Sequence, residues 1–401
     1  MPVIPCEPDF NFFDGEGGRY IVESNTLSYC KADSEKDIEE FKSKFQDGKC
    51  VKPNIQTNGL DGKQITHICL QATHECQLRC DYCFVDNYYS GGMCGRMKFE
   101  TAKKFIDQYL SGEHVSVGFF GGEPLLNMEL IVGVVDYCKQ KFKNCSFHVT
   151  TNGILLNHKD KFVPDGLTNV EYFDQNGFTM IVSLDGSKDA HDIHRKFAGG
   201  KSCFDNVIEG VDSLKGKKVA KVNTLRGTFT SELFDSPITL KDRLEFLNKK
   251  MYEGCSANIS LEPAVLSENS CISKGLDLSF TGENDEDKLM ALYYDAIRWY
   301  IKELREGRHP TWFQIDLMTT RILYGIHMFS ECGAGLGYMS CSWDGRISAC
   351  HREGETYIGD LKYGIDEQER SKWSENRIYG RYSCMKCPMR YYCGGGCREC
   401  S

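Results

Sequence analysis

The sequence predicts an α/β fold: a parallel sheet of six strands with helices outside it, in the form of a partial (β/α)6 barrel, followed by a cysteine-rich C-terminal domain. Three observations carry this expectation. Six apolar or β-branched runs of strand length alternate with helical patterns between residues 64 and 265. The alternation stops at six units, short of the eight of a closed (β/α) barrel. Eight of the 21 cysteines crowd into the segment from Cys332 to Cys400.

Residues 1–62 are polar and irregular, with one strand-like run (RYIVES) and one short amphipathic helix (SEKDIEEFKSKF). They read as an N-terminal appendage. The six strand runs follow: ITHICLQAT, VSVGFFGG, SFHVTTNG, FTMIVSLDG, AKVNTLRGTFT and ANISLEPAV. Between most of them lie helical patterns such as FETAKKFIDQYLSG and LKDRLEFLNKKMY. Strands alternating with helices imply a parallel sheet, whose chemistry gathers at the C-terminal ends of the strands. Residues 63–265 form this core. Residues 266–330 form a helical bridge, in which Leu289, Leu292, Tyr293, Ala296, Trp299, Tyr300 and Leu304 recur at helical spacing as a packing face. Residues 331–401 form the cysteine-rich domain.

Composition excludes several classes. With 41% hydrophobic and 26% charged residues the chain reads as globular. No run of about 18 apolar residues marks a transmembrane helix, and the N-terminus lacks the pattern of a secretory signal. A net charge of −9 argues against nucleic acid as a partner. The chain reads as cytoplasmic, where disulfides are disfavoured, so the cysteine count points to metal or catalytic thiols. Ten scattered cysteines read as small buried hydrophobes.

The loop after the first strand, HECQLRCDYCF, sets out Cys76, Cys80 and Cys83 as C-x3-C-x2-C. A mononuclear zinc site wants four ligands. Three thiolates instead suit a [4Fe–4S] cluster with one iron open to a substrate, with a structural zinc or an accidental cluster as the alternatives. The pattern, with Tyr82 before its last cysteine, resembles the signature of the radical S-adenosylmethionine (SAM) enzymes. In that family the open iron chelates SAM, whose cleavage yields a 5′-deoxyadenosyl radical that abstracts a hydrogen atom.

Later strand ends extend the resemblance over roughly residues 64–265. FFGGEPLL supplies Gly121 and Gly122, which permit close backbone approach, and Glu123, which the resemblance assigns to the SAM amino group. TTNG supplies Thr151 and Asn152. SLDG supplies Ser183 and Asp185, which resemble positions near the SAM ribose. Arg195, twelve residues beyond Ser183, is suited to the SAM carboxylate through a charge-assisted pair. Leu261 corresponds to an adenine contact. Each motif also has a plain reading, as a turn or a surface charge.

The C-terminal spacing, Cys332-x12-Gly345-x4-Cys350 followed by Cys384-x2-Cys387-x5-Cys393-x3-Cys397 and Cys400, resembles the SPASM extension of radical SAM peptide-modifying enzymes. That resemblance implies two auxiliary [4Fe–4S] clusters, three clusters in all. Cys384, Cys387, Cys393 and Cys400 would hold one auxiliary cluster. Cys332, Cys350 and Cys397 would hold the other, with Cys341 as candidate fourth ligand. A core-facing Cys341, or an open iron that receives a substrate thiol, is the competing account, and a zinc ribbon is the alternative for residues 384–400. The implied partners are a ribosomally made precursor peptide and a flavodoxin- or ferredoxin-type reductant. The implied reaction is formation of a thioether link from Cys to another residue. Formylglycine formation of the anaerobic sulfatase-maturase type and carbon–carbon crosslinking or epimerisation are the alternatives within the family; an electron-transfer or zinc-binding protein is the alternative outside it. Residues 1–62 would then be a reduced peptide-recognition domain.

Overall fold

The computed structural model describes residues 9–15, 17–45, 54–55, 64–83, 95–264, 279–280, 282–330, 332–352, 356–375, 378 and 382–397. The chain divides into two compact units. One comprises Met1–Gly62, Ile315–Gly337 and Glu367–Ser401; the other comprises Lys63–Gln314 and Tyr338–Asp366. Among the described residues no helix is long and apolar enough to cross a membrane.

The first unit opens with an antiparallel sheet of β1 (Phe10–Gly15), β2 (Gly18–Glu23) and β3 (Ser28–Lys31) in sequential order. Helix α1 (Glu35–Ser43) starts at Ser34, whose hydroxyl accepts the Asp37 backbone N–H as an N-cap. Its Phe41 packs with Ile21 and Ala32. Strand β4 (Asn54–Ile55) pairs in parallel with β11 (Ile326–His327). A second core joins Leu27 to Phe329, Ile378, Tyr391 and Tyr392, with the half-buried Cys384 packed against it. Arg390 ties these segments together: it donates to Asp9 Oδ2 at 2.9 Å and to Asn25 Oδ1 at 3.0 Å.

The second unit contains the predicted sheet. Its strands are β5 (His67–Thr73), β6 (His114–Gly121), β7 (Asn144–Thr151), β8 (Thr179–Ser183), β9 (Thr224–Phe229) and β10 (Asn258–Pro263). All five pairings are parallel and each strand adds beside its predecessor. Sequential addition without reversal is the order of a (β/α) barrel, in contrast to a doubly wound sheet. The crossovers carry α2 (Phe99–Tyr109), α3 (Met128–Lys141), α4 (Asn169–Gln175), α5 (Lys188–His194), α6 (Phe204–Asp212) and α7 (Leu240–Tyr252). Thr168 and Thr239 open α4 and α7 with reciprocal capping boxes. The bridging helix α8 (Asp285–Arg305) buries Ala296 and Tyr300. Tyr293 stacks on the fully buried Trp312, whereas Leu304, expected on the packing face, is exposed.

The division of the chain departs from the boundaries read in the sequence. Strand β12 (Tyr338–Cys341) adds in parallel to β5, with Tyr338 opposite His67 and Cys341 opposite Leu70. Strands β13 (Arg346–Ser348), β14 (Gly359–Asp360) and β15 (Gly364–Ile365) continue the same sheet. Part of the cysteine-rich segment is thus built into the barrel's sheet, while residues 367–401 group with residues 1–62.

One face of the sheet is polar. Strand alternation sends His67, Gln71, His148, Arg226 and Glu262 to one side and Ile68, Leu70, Val149, Leu225 and Leu261 to the other. His67 and His148 meet through Nε2 atoms 3.0 Å apart, and a Cβ on Gly118 would lie 2.1 Å from the His148 ring. Burial lowers these two imidazoles to about 4 and about 3, so both are neutral at pH 7.

Candidate active site

The three-cysteine loop leaves β5 and is laced to the segment after α5. Arg79 N–H donates to Lys196 O at 2.9 Å, Asp81 N–H to His194 O at 3.2 Å, and Ala198 N–H to Gln77 O at 3.1 Å. The His194 ring fixes the loop from below, with Nδ1 3.2 Å from Asp81 Oδ2 and Nε2 3.0 Å from Thr230 Oγ1. Cys76, Cys80 and Cys83 all line one cavity. Three donors approach their sulfurs: Leu78 N–H at 3.4 Å and Asn152 Nδ2 at 3.9 Å from Cys76, and Arg195 Nη1 at 3.9 Å from Cys80. Thiols gathered on one wall with donors aimed at them fit an iron–sulfur cluster, whose potential such hydrogen bonds tune.

The strand-end motifs meet at this cavity. Gly121, Gly122, Thr151, Asn152, Ser183, Tyr82 and Arg195 line it. Gly121 has φ +131°, and a Cβ there would lie 2.2 Å from Thr73 O, so only glycine fits this bend. Glu123 is fully buried behind the wall. It accepts from Leu125 N–H at 3.1 Å, Thr151 Oγ1 at 2.7 Å and Asn152 N–H at 2.7 Å. Burial pushes its carboxyl up to about 7, against those hydrogen bonds, which favour the ionised form. Glu123 therefore ties the ends of β6 and β7 together directly behind the glycine pair.

Asp185, 1% exposed, is a second hub behind the wall. Its Oδ2 accepts from Tyr82 Oη at 2.5 Å and from Arg195 Nε at 3.1 Å, and its Oδ1 from Thr228 N–H at 2.9 Å. Burial would raise this carboxyl, but the Arg195 guanidinium, His191 and these hydrogen bonds hold it below the usual carboxylate range. Leu261 is buried, facing away from its neighbour Glu262, which lines the cavity.

Part of the lining was missed in the sequence. Leu78, Arg79, Phe120, Thr150, Arg226, Thr228, Glu262, Pro263, Ala264 and Arg352 complete it. Arg226 Nη2 donates to Glu262 Oε2, and Arg352 Nη2 lies 3.8 Å from the same oxygen. Glu262 Oε1 accepts from Ser260 Oγ at 2.8 Å and from Gln314 Nε2 at 2.9 Å. The available signal was an arginine and a glutamate inside runs that read as buried strands, since charged residues are rarely buried without a partner.

The C-terminal cysteines are distributed over both units. Cys341 is wholly buried within β12, with Sγ donating to Ser342 O at 3.4 Å, which is the core position left open as its alternative reading. Cys350 is half-buried in the same unit. Cys332 and Cys393 are exposed and Cys384, Cys387 and Cys397 half-buried in the other unit. Cys400 lies outside the described residues. Of the scattered cysteines, Cys69, Cys138, Cys203 and Cys255 are buried and Cys30 and Cys145 half-buried; Cys6, Cys50, Cys94 and Cys271 lie outside the described residues.

Comparison with known proteins places these motifs. The model of the Radical SAM superfamily matches residues 70–231. An uncharacterised protein of Methanocaldococcus jannaschii is 32% identical over 156 residues, 38% of this chain and 50% of that protein, so the match spans half its length. The radical SAM cyclopropyl synthase TigE of Paramaledivibacter caminithermalis is 23% identical over 359 residues, 84% of this chain and 68% of that protein. A cysteine-type anaerobic sulfatase-maturating enzyme of Clostridium perfringens is 24% identical over 359 residues, 82% of this chain and 87% of that enzyme. The solved structure of native anSMEcpe with bound AdoMet superposes with a TM-score of 0.64 at 19% identity, covering 83% of this chain and 90% of that one, a likeness of fold. With a three-cysteine loop and glycine pair on one cavity and the family match over residues 70–231, that stretch is a radical SAM domain, and the chain is similar along most of its length to radical SAM enzymes.

Proposed function

We propose that this enzyme is a maturase that modifies a ribosomally made peptide, installing a thioether link from a cysteine sulfur to a carbon of another residue. The observation that carries the reading is one cavity lined by Cys76, Cys80, Cys83 and the glycine pair and also by Arg226, Glu262 and Arg352. The first group suits the cluster and SAM, and the second is left for a substrate. In this reading Cys76, Cys80 and Cys83 hold the cluster, and Gly122, Ser183 and Arg195 position SAM. Arg195 is held by Asp185 through Nε, so its outer nitrogens are the groups offered to the SAM carboxylate. SAM bound and reduced there would supply the radical that removes a substrate hydrogen atom, and the protein supplies its orientation.

The cysteines of the C-terminal segment are assigned to auxiliary clusters on the resemblance of their spacing, and the enzyme acts in the cytoplasm with a flavodoxin- or ferredoxin-type reductant. A second reading, oxidation of a cysteine or serine to formylglycine, is favoured by the sulfatase-maturating relative. Carbon–carbon bond formation is the third, favoured by the cyclopropyl synthase.

The test is anaerobic reconstitution with reductant and SAM, followed by mass analysis of a cysteine-bearing precursor peptide. Production of 5′-deoxyadenosine is expected. A product that keeps its sulfur and loses two hydrogen atoms supports the thioether, whereas loss of sulfur from the cysteine supports formylglycine. Absence of 5′-deoxyadenosine under reduction overturns the reading in all its forms.

A further inference from the structure

The charges on the cavity lining around Glu262 do not balance. Arg226 and Arg352 bring two guanidinium groups to Glu262, a single carboxylate. That carboxylate is already shared: its Oε1 accepts from Ser260 and Gln314, and its Oε2 accepts from Arg226. Arg352, at 3.8 Å, stands beyond hydrogen-bond distance from Oε2. Arg226 and Arg352 are each about one quarter exposed at the side chain, and both line the cavity. Burial and the neighbouring Arg352 lower the proton affinity of Arg226, the direction expected where cationic charge exceeds the anionic charge facing it. Among the described residues Glu262 is the carboxylate paired with both of them. Phe120, Thr228, Pro263 and Ala264 line the same cavity.

Two guanidinium groups that share one carboxylate, on a cavity the cysteine loop also lines, suit a planar carboxylate, which a guanidinium can bind bidentately. We propose that Arg352, backed by Arg226 and Glu262, recognises the carboxylate of an acidic side chain in the peptide substrate, at or beside the residue that is modified. The inference rests on the peptide-maturase reading and adds to it a substrate class: an acidic peptide. Arg226 is hydrogen-bonded to Glu262 whereas Arg352 stands at 3.8 Å from it, so Arg352 is the member of the pair assigned to the substrate. Glu262 is a positioning residue here. It holds the Arg226 guanidinium by a hydrogen bond and offsets part of the charge of both arginines.

The SAM carboxylate has the same chemistry, so the experiment separates the two sources. The probes are a fluorescently labelled peptide, acetylated and amidated at its ends, of sequence Gly-Ala-Asp-Cys-Gly, and its twin with Asn for Asp. Binding to the reconstituted holoenzyme with SAM is read by anisotropy, and SAM affinity and iron content are measured on the same preparations. The aspartyl peptide should bind about tenfold more tightly than its twin. Arg352→Gln should erase that preference while SAM affinity and iron content stay at the parent's level, and Arg352→Lys should keep part of it. Glu262→Gln, which removes the competing carboxylate, should tighten the aspartyl peptide further. If the glutamine variant at 352 loses iron, the Glu262→Gln result decides: unchanged or weaker binding of the aspartyl peptide overturns the proposal. It is also overturned if the parent binds both peptides alike, including not at all, if the preference survives in Arg352→Gln, or if that variant loses SAM affinity instead. Failure of the maturase reading shows separately, as absence of 5′-deoxyadenosine from the parent.

Discussion

Asp185 and Arg195 form the ion pair on which the site's geometry depends, and a double-mutant cycle with Asp185→Asn and Arg195→Gln measures it. The side chains are 1% and 11% exposed and meet at 3.1 Å, so solvent screens them little. Asp185 also accepts from Tyr82 and Thr228. Either single substitution leaves a buried partner unmatched, and each should cost about 3–5 kcal/mol, the range for breaking a buried pair. The double variant removes both charges, so it should cost less than the sum, with a coupling of about 2 kcal/mol or more. The assay is anaerobic urea unfolding followed by tryptophan fluorescence, reading the transition that exposes Trp312, which is fully buried beside the barrel. The acid side supplies a second readout. Asp185 is held below its usual range when folded, so the folded state binds fewer protons than the unfolded one. Its contribution is complete above the unfolded carboxyl value of about 3.9 and is lost as pH falls through the lower folded value. Asp185→Asn should flatten that part of the stability profile. A coupling below about 0.5 kcal/mol, or an unchanged acid limb, would refute the reasoning.

Three further expectations accompany it. Replacing Cys76, Cys80 and Cys83 together by Ala should abolish SAM cleavage while the iron held elsewhere in the chain remains, and retained cleavage would contradict the cluster assignment. Anaerobically purified protein should hold about twelve iron and twelve sulfide per chain, from three cubane clusters; zinc in place of the C-terminal iron would reverse the auxiliary assignment. Gly121→Ala must accommodate both a positive φ and a Cβ placed 2.2 Å from Thr73 O, so it should destabilise by about 1–3 kcal/mol and weaken SAM binding. Parent-like unfolding and SAM affinity in that variant would show that the bend tolerates a side chain.

What was legible in the sequence was local. The strand runs, the cysteine loop and the glycine pair each announce themselves within a few residues, because burial, turn geometry and metal ligation act at short range. The group of Arg226, Glu262 and Arg352 was not legible, since it is assembled from two strands and a loop about 90 residues further on. The partnership of β12 with β5 was hidden for the same reason. Tyr338 and His67 sit opposite each other by parallel pairing, which leaves no pattern in either segment alone. Glu123 illustrates a subtler limit: its motif was evident, but only the structure shows its carboxylate occupied by Thr151 and Asn152 behind the glycine pair.

The lacing of the cysteine loop to residues 194–198 has a consequence for how the enzyme is loaded and repaired. In a zinc finger the metal supplies the folding energy, and the ligands scatter without it. Here three backbone hydrogen bonds and the His194 ring hold the stretch from Gln77 to Asp81 against a neighbouring segment of the barrel unit. The backbone that carries Cys80 is thus held by contacts within the protein. The expected consequence is that iron and sulfide can be added to the folded apoprotein, in contrast to a finger that folds only on its metal. The same stitches bring the carbonyls of His194 and Lys196, the flanks of Arg195, into the loop's own hydrogen-bond pattern. A substitution that shifts the segment around Arg195 therefore shifts the cysteine loop with it, so the two parts of the cavity lining are set together.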